Sequence, residues 1–147
     1  MAGPTHCFTP DLLQGKRALV TGGGTGIGRA IAFALAHAGA DLILAARQLP
    51  ALQATAEDIK TETGRNVLVT QVDIRSLESV QALAGFVNEH GAQVDILVNN
   101  AGGQFPQAAE NYSANGWRSI IDLNLNGTWN VTQALGQQML EGHGGVI

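Results

Sequence analysis

The residues best placed to do chemistry are the glycines of Thr21-Gly22-Gly23-Gly24-Thr25-Gly26-Ile27-Gly28, which gather five of the chain's 19 glycines into seven positions. They follow the apolar run Ala18-Leu19-Val20 and precede a helical pattern. Glycine permits a sharp turn there, and the helix that follows turns its free N–H groups and positive dipole end toward an anion. The spacing predicts a phosphate site and narrows its type. A P-loop needs a lysine and then serine or threonine after its last glycine, whereas Gly28 is followed by Arg29-Ala30. The G-x-G-x-x-G pattern also fails, because Ile27 takes the third-glycine position counted from Gly22. What stands is G-x-x-x-G-x-G from Gly22.

Positioning such a loop requires strands that alternate with helices. Arg17 to Thr21 reads as a buried strand, and Ile27 to Ala38 as a helix with Ile27, Ile31 and Leu35 on its apolar face and Gly39 at its C-cap. Leu42 to Ala46 is a second strand. Pro50 and Gly64 bracket a helix through Leu52, Ala56 and Ile59. Val67 to Val72 is a third strand, and Ser76 caps a helix through Val80, Leu83 and Val87 that stops at Gly91. Val94 to Val98 is a fourth strand, a long helix is expected over Ser119 to Leu140, and Val146-Ile147 looks like the opening of a fifth strand. This order predicts an α/β fold: a Rossmann-like, doubly wound parallel sheet with helices on both faces, cut short within its fifth strand. Residues 1–15 read as an N-terminal arm and residues 16–147 as the cofactor-binding part of one domain.

Composition removes other functions. Charged residues are 14% of the chain against about 25% in an average domain, and the net charge is −4, so no basic footprint for nucleic acid is present. His6, His37, His90 and His143 are scattered and Cys7 is the single cysteine, so no metal-ligand set is expected. One cysteine fits a reducing, cytoplasmic setting. The most apolar stretch, Ala30 to Ala46, is broken by His37, Gly39 and Asp41, and no membrane helix or secretory signal is read.

The glycine loop, taken with Asn99-Asn100-Ala101-Gly102 and Asn124, resembles the short-chain dehydrogenase/reductase family from Lys16 onward. The resemblance implies that Gly22, Gly24, Thr25, Gly26, Ile27 and Gly28 hold a dinucleotide pyrophosphate. It implies that Asp73 and Ile74 contact the adenine, and that Asn100, Ala101 and Gly102 lie along the ribose. Charge then selects the dinucleotide. An acid about 20 residues past the glycines would accept from the 2′-hydroxyl of NAD, whereas arginine accommodates a 2′-phosphate. Ala45-Ala46-Arg47 occupies that place, so NADP is expected.

The catalytic set that the resemblance implies is a serine, a tyrosine with a lysine four residues on, and a relay asparagine. Asn124 matches the asparagine. Tyr112, the single tyrosine, is followed four residues later by Gly116, and the lysines are Lys16 and Lys60, so the pair is absent. Tyr112 reads as a loop aromatic and Ser113 as a helix cap. The missing residues would follow Ile147 in the family, and the expectation is a chain that continues beyond it. The loop from Asn99 to Phe105, with Ala109-Glu110 and Gly116-Trp117, looks like the enoyl-CoA and 2,4-dienoyl-CoA reductase branch; alcohol dehydrogenases of the family could share it. The implied partners are an acyl-CoA or other small-molecule substrate and copies of the chain in a homotetramer built on the long helix. The competing reading is a dinucleotide-binding polypeptide or sensor without turnover.

Overall fold

Arg17–Thr21 (β1) takes the centre of a four-stranded parallel sheet because both of its faces are apolar. Ala18 and Val20 point to one side, where they join Ala32, Ala36, Leu52 and Ile59. Leu19 points to the other, with Val80, Leu83, Val131 and Leu135. Successive side chains of a strand alternate between faces, so a continuous apolar run serves two cores at once. The computed structural model describes residue 9, residues 11–91 and residues 93–147; His6 and Cys7 lie outside the described residues.

The elements follow the expected order. After β1 come Gly26–His37 (α1), Asp41–Ala46 (β2), Leu49–Thr63 (α2), Val67–Gln71 (β3), Leu77–Glu89 (α3) and Ile96–Val98 (β4), then Ala114–Ile121 (α4) and Gly127–Glu141 (α5). The strands lie in the order β3-β2-β1-β4, all parallel. Arg17 pairs with Asp41, and Ala18 pairs with both Leu42 and Ile96. α1 and α2 cover one face, α3 and α5 the other, which is the Rossmann-like arrangement the alternation predicts. Val146 bridges Ile96 in parallel, so the last residues lie along the free edge of β4.

Three details differ from the pattern read in the sequence. In α1 the buried residues are Gly28, Ala32 and Ala36, while Ile27 is 75% exposed. Small side chains let α1 sit close to the sheet, and a stripe of larger residues would hold it off. In α2 the inward position between Leu52 and Ile59 is Thr55, with Ala56 half-buried. The long helix also starts earlier, with α4 at Ala114, and a five-residue π segment, Asp122–Asn126, lies within the continuous helical run between α4 and α5. Ser113 caps α4 by accepting from the Gly116 N–H at 3.0 Å. The apolar positions divide accordingly, with Val131 and Leu135 in the core and Leu125 exposed.

At the opposite end of the sheet from the glycine loop, Asp95 ties three segments together. Its carboxylate accepts from the Arg17 N–H at 2.8 Å and from Lys16 Nζ at 3.0 Å, and His143 Nε2 lies 2.8 Å away. Burial would raise its pKa, but the contacts with His143, the Arg17 amide and Lys16 outweigh it and hold the carboxyl below its usual range.

Candidate functional site

The chain leaves β1 toward β2 on one side and later returns to β4 on the other, so the connections part at the C-terminal ends of β1 and β4. Such a switch point opens a crevice in parallel α/β sheets. Here it has a volume of about 440 Å³, within the range of small-molecule sites.

Two loops form its walls and one hydroxyl joins them. Thr21, 1% exposed at the end of β1, donates through Oγ1 to the Val98 carbonyl at 3.3 Å. The same oxygen accepts from the Asn100 and Ala101 N–H groups at 3.1 and 3.0 Å. Asn100 answers by donating Nδ2 to the Thr21 carbonyl at 2.9 Å. The glycine loop and the Asn100 loop are thereby tied to one another, although 79 positions separate Thr21 from Asn100. Thr21 has no place among the expected ligand contacts; its value lies in this cross-link, which sequence spacing does not encode.

The glycines meet specific steric demands. Gly22 has φ +69, and a Cβ there would come within 2.7 Å of Asn100 Nδ2. A Cβ on Gly28 would fall on the Gly22 carbonyl and on Asn100 Nδ2, so only glycine lets α1 start this close to β1. Gly26 has open space where a Cβ would stand, which leaves its backbone facing the crevice.

All twelve residues expected to hold a dinucleotide line this single crevice: Gly22, Gly24, Thr25, Gly26, Ile27 and Gly28 from the first loop, Arg47 after β2, Asp73 and Ile74 after β3, and Asn100, Ala101 and Gly102 after β4. Ala46, Gln48, Ala51, Val72 and Leu123 complete the wall and carry no site assignment from the sequence pattern. Gln71 donates Nε2 to the Arg47 carbonyl at 2.7 Å, fixing the backbone where β2 ends. Among the described residues no acid forms a salt bridge with Arg47, and its side chain stands exposed at the crevice mouth.

Asp73 is held differently. Arg75 grips both carboxylate oxygens, Nε to Oδ1 at 3.0 Å and Nη2 to Oδ2 at 2.6 Å. That hydrogen-bonded pair, against a smaller opposing effect of burial, lowers the Asp73 carboxyl from 3.8 to about 2. Asp73 is therefore an anion at neutral pH, and the Arg75 guanidinium is held above its ordinary pKa by the same contact.

Asn124 is not among the crevice-lining residues. It lies in the π segment behind the Gly102-Gly103 wall, where Nδ2 donates to the Gly103 carbonyl at 2.8 Å and the Ile120 carbonyl at 2.9 Å. Its Oδ1 accepts from the Gly103 N–H at 3.1 Å. Both side-chain N–H groups are thus occupied, and the carboxamide clamps the loop. Tyr112 is a loop aromatic: its ring stacks on Phe105 with centroids 5.4 Å apart, and its hydroxyl donates to the Phe105 carbonyl at 2.7 Å.

Among the described residues, no group of three metal-ligating side chains is present, and no helix is long and apolar enough to cross a membrane.

A model of the short chain dehydrogenase family matches residues 16–147. The peroxisomal 2,4-dienoyl-CoA reductase of Danio rerio is 35% identical over 143 residues, covering 97% of this chain and 48% of that protein. The 2-dehydro-3-deoxy-D-gluconate 5-dehydrogenase of Bacillus subtilis is 41% identical over 136 residues, 92% of this chain and 52% of that one. The solved alcohol dehydrogenase of the archaeon Thermococcus sibiricus, complexed with 5-hydroxy-NADP, superposes with a TM-score of 0.83 at 34% identity and covers 89% of this chain and 56% of its own. The chain spans about half the length of these relatives. Sequence and fold agree from Lys16 onward, and the chain belongs to the short-chain dehydrogenase family of oxidoreductases.

Proposed function

We propose that the crevice binds NADP(H) and that the protein serves an NADP-dependent oxidoreductase. The observation that carries this reading is the position of Arg47: a guanidinium with no salt bridge among the described residues, at the mouth of the crevice that the glycine loop also lines, at the end of the strand after that loop. An acid there would accept from a ribose hydroxyl, while a guanidinium matches a 2′-phosphate. The residues fit the group, since Gly26 leaves backbone exposed to an anion at the start of α1 and Ile74 and Val72 offer apolar surface for a base.

Bound NADPH supplies a hydride at its nicotinamide ring. The chain's own part is to hold the phosphates at Gly24 to Gly28, seat the adenine against Ile74, and fix the loop from Asn100 to Gly103 through Thr21 and Asn124. Asn124 acts in this reading as the residue that positions that loop beside the reacting ring. The substrate is a 2-enoyl-CoA ester or a small carbonyl compound. The Danio reductase supports the former and the Thermococcus alcohol dehydrogenase the latter. The exposed Trp117, Leu125 and Trp129 on α4, the π segment and α5 support a homo-oligomer built on that face, a tetramer by family resemblance. The single cysteine supports a reducing, cytoplasmic compartment.

A second reading, dinucleotide binding without turnover by these 147 residues, is favoured by Tyr112, whose hydroxyl is committed to Phe105 and which has Gly116 four residues on. Titration with NADPH and NADH tests the first reading: tighter binding of NADPH that reverses in Arg47→Glu supports it, and an unchanged preference overturns it. Multiple turnovers with NADPH and an enoyl-CoA or carbonyl substrate would exclude the second.

A further inference from the structure

Thr55 lies in the middle of α2, 2% exposed, on a stripe otherwise filled by Leu52 and Ile59. An inward hydroxyl on an apolar stripe needs a partner, and this one does not line the crevice. Its Oγ1 donates at 2.9 Å to the carbonyl of Gly24, 31 positions earlier in the glycine loop. The loop is pressed onto the helix at the same point, since a Cβ on Gly24 would stand 3.1 Å from Ala51 C and from Leu52 N.

The consequence runs through the peptide plane. In a trans peptide the carbonyl and the following N–H point in opposite directions, and no cis bond occurs among the described residues. With the Gly24 carbonyl drawn toward α2, the Thr25 N–H is turned away from it. Gly24 and Thr25 both line the crevice, Gly24 buried and Thr25 exposed, which is the position an N–H turned away from α2 needs to meet a ligand. The opposite orientation would aim a carbonyl oxygen at an anion. Glycine at position 24 makes such a flip cheap, because its φ and ψ are weakly restrained. A fixed partner is then needed to hold one orientation.

We propose that Thr55 is a positioning residue for dinucleotide binding: its hydroxyl locks the Gly24–Thr25 peptide so that the Thr25 N–H is presented to a phosphate oxygen in the crevice. This rests on the dinucleotide reading given above. The phosphate is either the one on the 2′ position or one of the pyrophosphate. α2 carries Gln48 at its start and Ala51 on the crevice wall, so the lock also couples the glycine loop to the helix that follows Arg47.

Calorimetric titration of the unaltered protein, Thr55→Val and Thr55→Ser with NADPH, adenosine 5′-diphosphate, adenosine 2′-monophosphate and adenosine tests it. Thr55→Val, which keeps the shape and loses the donor, should weaken NADPH on the order of tenfold, the equivalent of about 1.4 kcal/mol. It should weaken one of the two phosphate probes similarly, which identifies the phosphate concerned. Thr55→Ser should restore binding, and phosphate-free adenosine should bind all three alike. Equal NADPH binding by Thr55→Val and the unaltered protein overturns the role of Thr55, as does an equal loss on adenosine. Failure of the unaltered protein to bind NADPH or NADH overturns the dinucleotide reading itself, and this inference with it. Should Thr55→Val not fold, nitrogen-15 NMR of the unaltered protein decides: the Thr25 amide proton should move downfield on adding inorganic pyrophosphate or adenosine 2′-monophosphate. An unmoved Thr25 amide, with the Gly26 to Gly28 amides shifting, overturns the proposal.

Discussion

Asn100 binds Thr21 twice, each time as the donor: its N–H to Thr21 Oγ1 at 3.1 Å and its Nδ2 to the Thr21 carbonyl at 2.9 Å. Thr21 lies on β1 and Asn100 just beyond β4, so these bonds tie the two strand ends together at the switch point where the crevice opens. Removing the hydroxyl takes the acceptor from the Ala101 N–H, while the Asn100 N–H keeps the Val98 carbonyl at 3.1 Å. Thr21→Val should cost about 1–3 kcal/mol of stability, read as a lower urea midpoint at unchanged slope. It should also weaken NADPH binding. Full stability in Thr21→Val would show that the loops are held by something else.

Gly28 admits no side chain, because the Gly22 carbonyl and Asn100 Nδ2 already occupy the place of its Cβ. Gly28→Ala should therefore push α1 off the sheet and cost about 1–3 kcal/mol, even though alanine is the better helix former. Gly26→Ala tests a different constraint, since space is open there and φ is +54. It should be destabilising through backbone strain alone, and thermal melts of the two variants should separate crowding from strain.

Asn124 secures Gly103 by accepting from its N–H and donating to its carbonyl. Asn124→Ala should release that loop, and hydrogen exchange at the Gly103 amide should quicken on the order of tenfold. Amides in β1 and β2 should keep their protection. An unchanged Gly103 amide would dismiss the clamp.

Asp73 should titrate at about 2 in a carbon-13 NMR experiment, and Arg75→Gln should return it toward 3.8. Its folded pKa is depressed, so the stability it contributes is complete above the ordinary carboxylate pKa and is lost as pH falls from about 4 to about 2. The variant should show a shallower loss across that acid window. A carboxyl already titrating near 3.8 in the unaltered protein would contradict the pairing seen here.

Asp95 carries the corresponding role at the other end of the sheet. Asp95→Ala strips the acceptor from the Arg17 N–H and the partner from Lys16 and His143. The expected cost is about 1–3 kcal/mol in chemical unfolding, with NADPH binding unaffected. Weakened binding in a variant that remains folded would tie the two ends of the sheet together.

The sequence by itself determined the order of strands and helices, the parallel sheet and twelve of the residues along the crevice. Those features rest on local rules: apolar runs, glycine turns and helix caps at Ser76 and Ser113 act within a few residues of themselves. Periodicity was less informative where small residues do the packing. The Gly28, Ala32 and Ala36 face of α1 is buried because close approach to β1 gains contacts, and a hydropathy pattern favours Ile27, Ile31 and Leu35 instead. The π segment at Asp122–Asn126 was hidden for a related reason, since its residues suit a helix and only the bonds from Asn124 to Gly103 single them out. Tertiary structure alone decided that Thr21 joins two loops, that Thr55 turns toward Gly24, and that Arg75 claims Asp73. Two of those contacts span 79 and 31 positions, and the third depends on which way a side chain turns after β3. The donor and the acceptor are each ordinary in sequence, and only the folded sheet brings them within hydrogen-bond reach.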